Sequence, residues 1–221
     1  MKQNTAKVIE IEAIRIQSKR KSSKASSEHT AFYKGFTDEV MRELFDRFSK
    51  PITEEDYRNR ALFILISKTG LRAKEVISLR FTNLLKGPSG EILIQYVKKG
   101  GKKGFSVLSE EILSIIRAYH EVSNIVSDNF FLSRPKRHQK QRTQLTTRSL
   151  QRIINSWNVT TCQGRKAHPH AIRHTVGQKL LETVGSIAAQ KVLGHSNPNT
   201  TSKFYTKNRS QNSLYFESVI L

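Results

Sequence analysis

The chain has 221 residues, 37% of them hydrophobic, and 38 Lys+Arg stand against 18 Asp+Glu for a net charge of +20. That length suits one large domain with a tail rather than two full domains. The longest apolar run, 61–66, is far short of the roughly 20 residues of a membrane span, residues 1–17 lack a signal-peptide pattern, and a lone Cys162 excludes an internal disulfide or a cysteine-built zinc site, so a reducing, cytoplasmic compartment is expected.

Residues 1–35 read as a basic N-terminal tail. Ile9, Ile11, Ile14 and Ile16 suit a short strand or one helix face, and 18–27 (SKRKSSKASS) reads as a flexible linker. From Phe36 the pattern changes. Thr37 caps a helix with Asp38 and Glu39 in its first turn and Val40, Met41, Leu44, Phe45 and Phe48 on its buried face. Pro51 ends it. Thr53-x-x-Asp56 is a capping box opening a second helix, apolar nearly all round, that stops at Gly70. A short helix is expected over 72–79. Two strands are expected over 91–97 and 104–108, joined by the lysine-rich turn 98–103. Ser109 starts a helix that buries Ile112, Leu113, Ile115, Ile116 and Tyr119. Phe130-Phe131-Leu132 is a short buried segment ahead of the basic loop 134–142. Helices are then expected over 147–157, 169–184, 186–193 and 199–205. The class is mostly α with a small antiparallel β-sheet.

The charge is unevenly distributed: residues 129–221 hold 15 Lys+Arg and only two acids, Glu182 and Glu217. A chain this basic repels itself unless a polyanion neutralises it, which makes nucleic acid the leading partner. A merely basic or ribosome-associated protein is the plain alternative.

Several residue groups carry possible chemistry. Arg72 follows Gly70-Leu71 at a helix start, and Glu75 lies three positions on, on the same face, suited to steady a guanidinium on a phosphate. His170 and Arg173 stand side by side at the start of a helix introduced by Pro169, where free N–H groups favour an anion. The spacing His168-x-His170-x3-His174 also admits a metal reading. However, Ala171 stands where a zinc-protease helix has glutamate, and no acid or cysteine completes a shell, so no metal is expected. Lys98, Lys99, Lys102 and Lys103 crowd one glycine-rich turn. His195 follows Leu193-Gly194, and Tyr205 lies behind Phe204. Taken singly, these are a surface ion pair, a helix with surface histidines, a solvated turn and a core tyrosine.

In this order they closely resemble the tyrosine recombinase/integrase family. The resemblance runs over 36–208 and rests on TGLRAKEVISL (69–79), the lysine hairpin, HPHAIRHT (168–175) and LGHSNPNTTSKFYT (193–206). It implies that Arg72 and Arg173 bind the non-bridging oxygens of the scissile phosphate. It implies that His170 helps to deprotonate the tyrosine, that His195 contacts the phosphate, that Glu75 supports the site and that Tyr205 is the nucleophile. Lys99 would be the general acid for the leaving 5′-hydroxyl, with Lys98 the alternative. The implied reaction is site-specific cleavage and rejoining of DNA through a 3′-phosphotyrosine, with no metal or nucleotide cofactor. The residue types suit it: fixed guanidiniums favour a transition state that gathers charge on phosphoryl oxygens, and cations favour the phenolate.

Tyr205 stands ten residues after His195, one more than in many members. The 35 residues before Phe36 are too few for the helical core-binding domain that most members carry. The resemblance is therefore to short, catalytic-domain recombinases such as those that invert fimbrial switches, or to a piece trimmed from a longer parent. DNA binding is expected from Lys98, Lys102, Lys103, Arg134, Lys136, Arg137, Lys140, Arg142, Arg148 and Arg152. The expected partner is double-stranded DNA with paired sites, bound by a homotetramer that is monomeric or weakly associated without DNA, in the nucleoid. The tail 209–221 is expected to pack on its own domain or dock on a neighbouring protomer. Rival readings are a type IB topoisomerase-like activity and a non-catalytic DNA-binding protein.

Overall fold

Helix caps written into the sequence set the first elements. The structure, a computed structural model, describes residues 34–98, 100–135, 138 and 141–193, with only the backbone of 186 and 188–192. The tail 1–33, the expected helix 199–205 and the segment 209–221 lie outside the described residues. Helix α1 (Asp38–Ser49) starts where the Thr37 hydroxyl accepts from the Val40 amide at 3.3 Å. Leu44 and Phe48 are buried, with Val40 and Met41 packed at the edge of the core. Phe45 departs from expectation and is 50% exposed. The buried stripe follows positions 40, 44 and 48, and each step of one residue turns the side chain by about 100°.

The Thr53–Asp56 capping box opens α2 (Glu54–Thr69) as expected. Every residue of 61–66 is buried, and α2 packs against α1, the later helices and the sheet, so it is the central core helix. Helix α3 (Ala73–Ile77) is shorter than the expected 72–79, because Arg72 acts as its cap and Leu79 turns into the core before Arg80 bridges to Asn129. A 3-10 turn (Phe81–Asn83) leads to β1 (Leu84–Lys86), β2 (Ile92–Val97) and β3 (Lys103–Leu108). These form an antiparallel sheet in the order β1-β2-β3. Strand β1 is absent from the sequence reading, since three residues are too few to show an alternation. Ile94, Tyr96 and Leu108 point into the core, while Leu85, Phe105 and Val107 face outward.

Helix α4 (Glu110–Val122) is capped by Ser109, and Phe130, Phe131 and Leu132 are buried as expected. Helix α5 (Thr147–Asn155) starts at the Thr146 cap and ends two residues early. Helix α6 (Pro169–Leu193) leaves helical geometry at Gly185 (φ 83°, ψ 173°), the boundary at which two helices are expected. Phe48, Phe63 and Trp157 lock α1, α2 and the end of α5 together, with ring centroids 5.1 to 6.0 Å apart. The architecture is mostly α with a small antiparallel sheet, and no helix among the described residues is long and apolar enough to cross a membrane.

Gly70 sits at a closely packed junction between α2 and α6. It ends α2 in the left-handed region (φ 62°), and a Cβ there would lie 2.9 Å from Leu193 Cδ2 and 3.2 Å from Val176 Cγ1. Gly70→Ala combines a left-handed penalty with overpacking and should lower unfolding free energy by about 2–4 kcal/mol. A shift of the urea midpoint at unchanged slope is the measurement that checks it.

Candidate active site

Arg72 is positioned by local sequence. It is the N-cap of α3, and Glu75, three residues on, folds back to accept from the Arg72 amide at 2.7 Å and from Arg72 Nη1 at 3.1 Å. Glu75 is 2% exposed, whereas much of the Arg72 side chain reaches solvent. One carboxylate thus fixes both the backbone and the guanidinium of the arginine, as its spacing suggests. The remaining donors of Arg72 are left to face outward.

Arg173 reaches the same place from the other end of the chain. It lies in the second turn of α6, is 4% exposed, and donates through Nη1 to the Gly70 carbonyl at 2.5 Å and through Nη2 to the Leu193 carbonyl at 2.6 Å. The Gly70 carbonyl is at the C-cap of α2, where carbonyls lack intrahelical partners and the helix dipole favours a cation, and Leu193 is the last described residue of α6. Tyr96, buried on β2, senses Glu75, Arg173 and Arg72 together. The two arginines therefore share one patch beside the sheet. Desolvation first, then Glu75, raises the Tyr96 pKa.

The three histidines of HPHAIRHT play different parts. His168 Nδ1 accepts from the Ala171 amide at 2.9 Å, which makes it the cap of α6 and leaves its proton on Nε2. His170 is exposed, and its pKa is lowered by desolvation and by the charges of Arg173, His168, Arg72 and Lys34. A neutral ring, able to accept a proton, is thereby favoured beside the two arginines. His174 is half-buried behind it with its pKa lowered to about 3, first by desolvation. Among the described residues no three His, Cys, Asp or Glu side chains gather as a metal shell.

The lysine turn closes the hairpin between β2 and β3, with the Lys98 amide donating to the Lys102 carbonyl at 2.7 Å. Gly104 faces Tyr96 in register, and a Cβ at that position would lie 2.4 Å from Lys98 Cε and 2.9 Å from two Tyr96 ring carbons. The absence of a side chain at Gly104 lets the Lys98 stem fold onto the Tyr96 face of the hairpin. Lys99 lies outside the described residues, as do Lys136, Arg137, Lys140, His195 and Tyr205.

The other basic residues divide by partner. Arg142 grips Glu54 with two hydrogen bonds at 2.7 and 3.0 Å, and Arg134 pairs with Glu55. Arg58, buried on α2, also pairs with Glu55 at 3.2 Å. The contacts of Arg142 and Arg134 fasten the basic loop to the first turn of α2, a tie that the sequence reading does not contain. Arg148 and Arg152 lie exposed one turn apart on α5, and Lys102 and Lys103 are exposed on the hairpin. No ion pair involves these four among the described residues. Arg142→Ala should cost about 1–3 kcal/mol of stability, since it breaks a charge-assisted pair and strands Glu54, whereas Arg148→Ala should cost almost nothing. Thermal melts of the two variants check the contrast.

The sequence matches the phage integrase family across residues 34–212. Tyrosine recombinase XerC of Chromobacterium violaceum is 29% identical over 157 residues, which cover 70% of this chain and 49% of that protein. The XerC of Mannheimia succiniciproducens is 31% identical over 180 residues, covering 78% of this chain and 56% of that one. The chain thus spans about half the length of the curated relatives it matches. Among solved structures, XerH site-specific recombinase bound to difH substrate in a pre-cleavage complex superposes with a TM-score of 0.60 at 21% identity, over 80% of this chain and 51% of that one. XerA recombinase gives a TM-score of 0.60 at 22% identity, over 79% and 61% of the respective chains. These two share the fold described above, and with the match running from residue 34 to residue 212 the chain belongs to the phage integrase family.

Proposed function

We propose that this chain performs the strand-cleavage and rejoining chemistry of a site-specific DNA recombinase through Tyr205. The observation that supports the reading most directly is the pair of guanidiniums held at one patch by unrelated means: Arg72 by buried Glu75, and Arg173 by the carbonyls of Gly70 and Leu193. Two cations fixed before the substrate arrives suit a phosphodiester whose transition state carries added charge on its non-bridging oxygens. Leu193 directly precedes Gly194-His195 in sequence, so Arg173 anchors the point from which the stretch bearing His195 and Tyr205 departs.

In the proposed step the Tyr205 oxygen attacks phosphorus, an O–P bond to the enzyme forms and the bond to the 5′-oxygen breaks. The phenol proton passes to His170, and the leaving 5′-oxygen takes a proton from a hairpin lysine. Arg72, Arg173 and His195 donate to the non-bridging oxygens. Attack of another 5′-hydroxyl on the 3′-phosphotyrosine reverses the step on a new strand. The ester energy is retained, so no nucleotide is consumed, and the protein's own cations supply the charge stabilisation. Lys99 is assigned as the acid by resemblance, with Lys98, whose stem lies on the Tyr96 face, as the alternative.

The proposed partner is duplex DNA carrying paired sites, with four protomers on two duplexes, since a full exchange cuts four strands. Arg148, Arg152, Lys98, Lys102 and Lys103 are proposed as phosphate contacts, with Lys136, Arg137 and Lys140 beside them in the basic loop. Arg134 and Arg142 serve the loop's attachment. The tail 209–221 is proposed to pack on its own domain or on a neighbouring protomer. A cytoplasmic, nucleoid-associated location follows from this partner.

A DNA site nicked beside its cleavage point should trap the wild-type protein in a denaturant-resistant complex, equally with and without EDTA. Tyr205→Phe should bind the same DNA and form no such complex; a complex that persists in this variant, or that needs a metal, overturns the mechanism. A substrate with sulfur in place of the bridging 5′-oxygen separates the lysines, because a leaving thiolate needs no proton. Lys99→Ala should slow cleavage of the oxygen substrate by about 10²-fold or more and recover on the sulfur substrate. Recovery in Lys98→Ala instead would reassign the acid, and recovery in neither would remove the hairpin from proton transfer.

A further inference from the structure

Among the described residues, no hydrogen bond holds the ring of His170. Among the described residues its only direct ring contact is with His174, at a centroid distance of 4.4 Å and an interplanar angle of 76°. The two stand at i and i+4 on α6, and a helical side chain covers the turn ahead of its own Cα, so His174 lies over His170 by helix geometry alone. Its other charged neighbours are Lys34, Arg173 and His168.

We propose that His174 is a positioning residue for His170, an aromatic wall that fixes the imidazole in the orientation from which it takes the nucleophile's proton. The role rests on the reading of His170 given above. His174 suits it in two ways. With its pKa lowered to about 3, it stays neutral across the working range and adds no positive charge beside Arg72 and Arg173. Its aromatic ring also tolerates either state of its neighbour: it packs against a neutral imidazole and interacts favourably with the imidazolium that proton transfer creates. A carboxylate in the same place would instead pair with Arg173 or His170 and offset the charge meant for the phosphate.

The test is a double-mutant cycle read in single-turnover cleavage of the nicked DNA site, with DNA affinity and melting temperature measured alongside. His174→Ala should slow cleavage about 10- to 100-fold with DNA affinity unchanged, since a misplaced catalytic group loses rate rather than binding. In a His170→Ala background the same substitution should change the rate less than about twofold, because the wall then has nothing to orient. Equal slowing in both backgrounds would overturn the positioning role alone and assign His174 to the fold. Wild-type cleavage by His170→Ala would overturn the reading of the site, and this role with it. Should His174→Ala melt far below the wild type, His174→Phe and His174→Leu carry the comparison, since Phe keeps a ring and Leu only volume. Phe should then cleave about tenfold faster than Leu, and equal rates would overturn the proposal.

Discussion

The buried guanidinium of Arg173 is the constraint on which the rest of the site depends. It donates to the Gly70 carbonyl at the C-cap of α2, which that helix does not satisfy internally, and to the carbonyl of Leu193, the last described residue of α6. The first of these bonds ties Arg173 to the turn at Gly70, two residues ahead of Arg72 and the start of α3. Gly70 is the residue that permits the approach, both through its left-handed backbone and because Leu193 and Val176 fill the space a side chain would need. Neither of these two acceptors carries a full charge, so both hold the guanidinium through backbone dipoles.

The arginines of this chain are thus put to two uses. Arg134 and Arg142 meet Glu55 and Glu54 at the start of α2, where acids also complement the helix dipole, and the result is a fastening for the loop. Arg72 is paired too, but its carboxylate is buried beneath it and leaves the guanidinium partly open. The same residue type therefore has opposite consequences according to whether its acid neutralises or merely orients it.

What was legible in the sequence was what is local in the chain. The Thr37, Thr53 and Ser109 caps, the stop at Gly70, the all-apolar α2, the break at Gly185 and the Arg72–Glu75 pair each depend on residues within a few positions of one another. The partners of Arg173 lie 103 and 20 positions away, and those of Arg142 and Arg134 lie 88 and 79 positions away, so only the fold reveals them. A basic run reads as a solvated or DNA-facing face until its acids are located. Phe45 fits a broad helical stripe equally well, and the narrower stripe that forms is decided by α2, which covers Leu44 and Phe48. Placing Lys98 on the Tyr96 face required the register of β2 against β3, where a slip of one residue would turn every side chain to the opposite face.

The pKa values of His170 and His174 are both pushed down, first by desolvation and then by neighbouring positive groups, Arg173 and Lys34 among them for each, so burial and charge together disfavour a further positive charge in the patch. An anion bound there would relieve that repulsion, and whatever binds only the folded state stabilises it by mass action. The fixed positive charge of the patch is therefore a source of affinity for an anion. Since the guanidiniums are already fixed by Glu75 and by two backbone carbonyls, little of that affinity is lost to ordering them when the anion arrives.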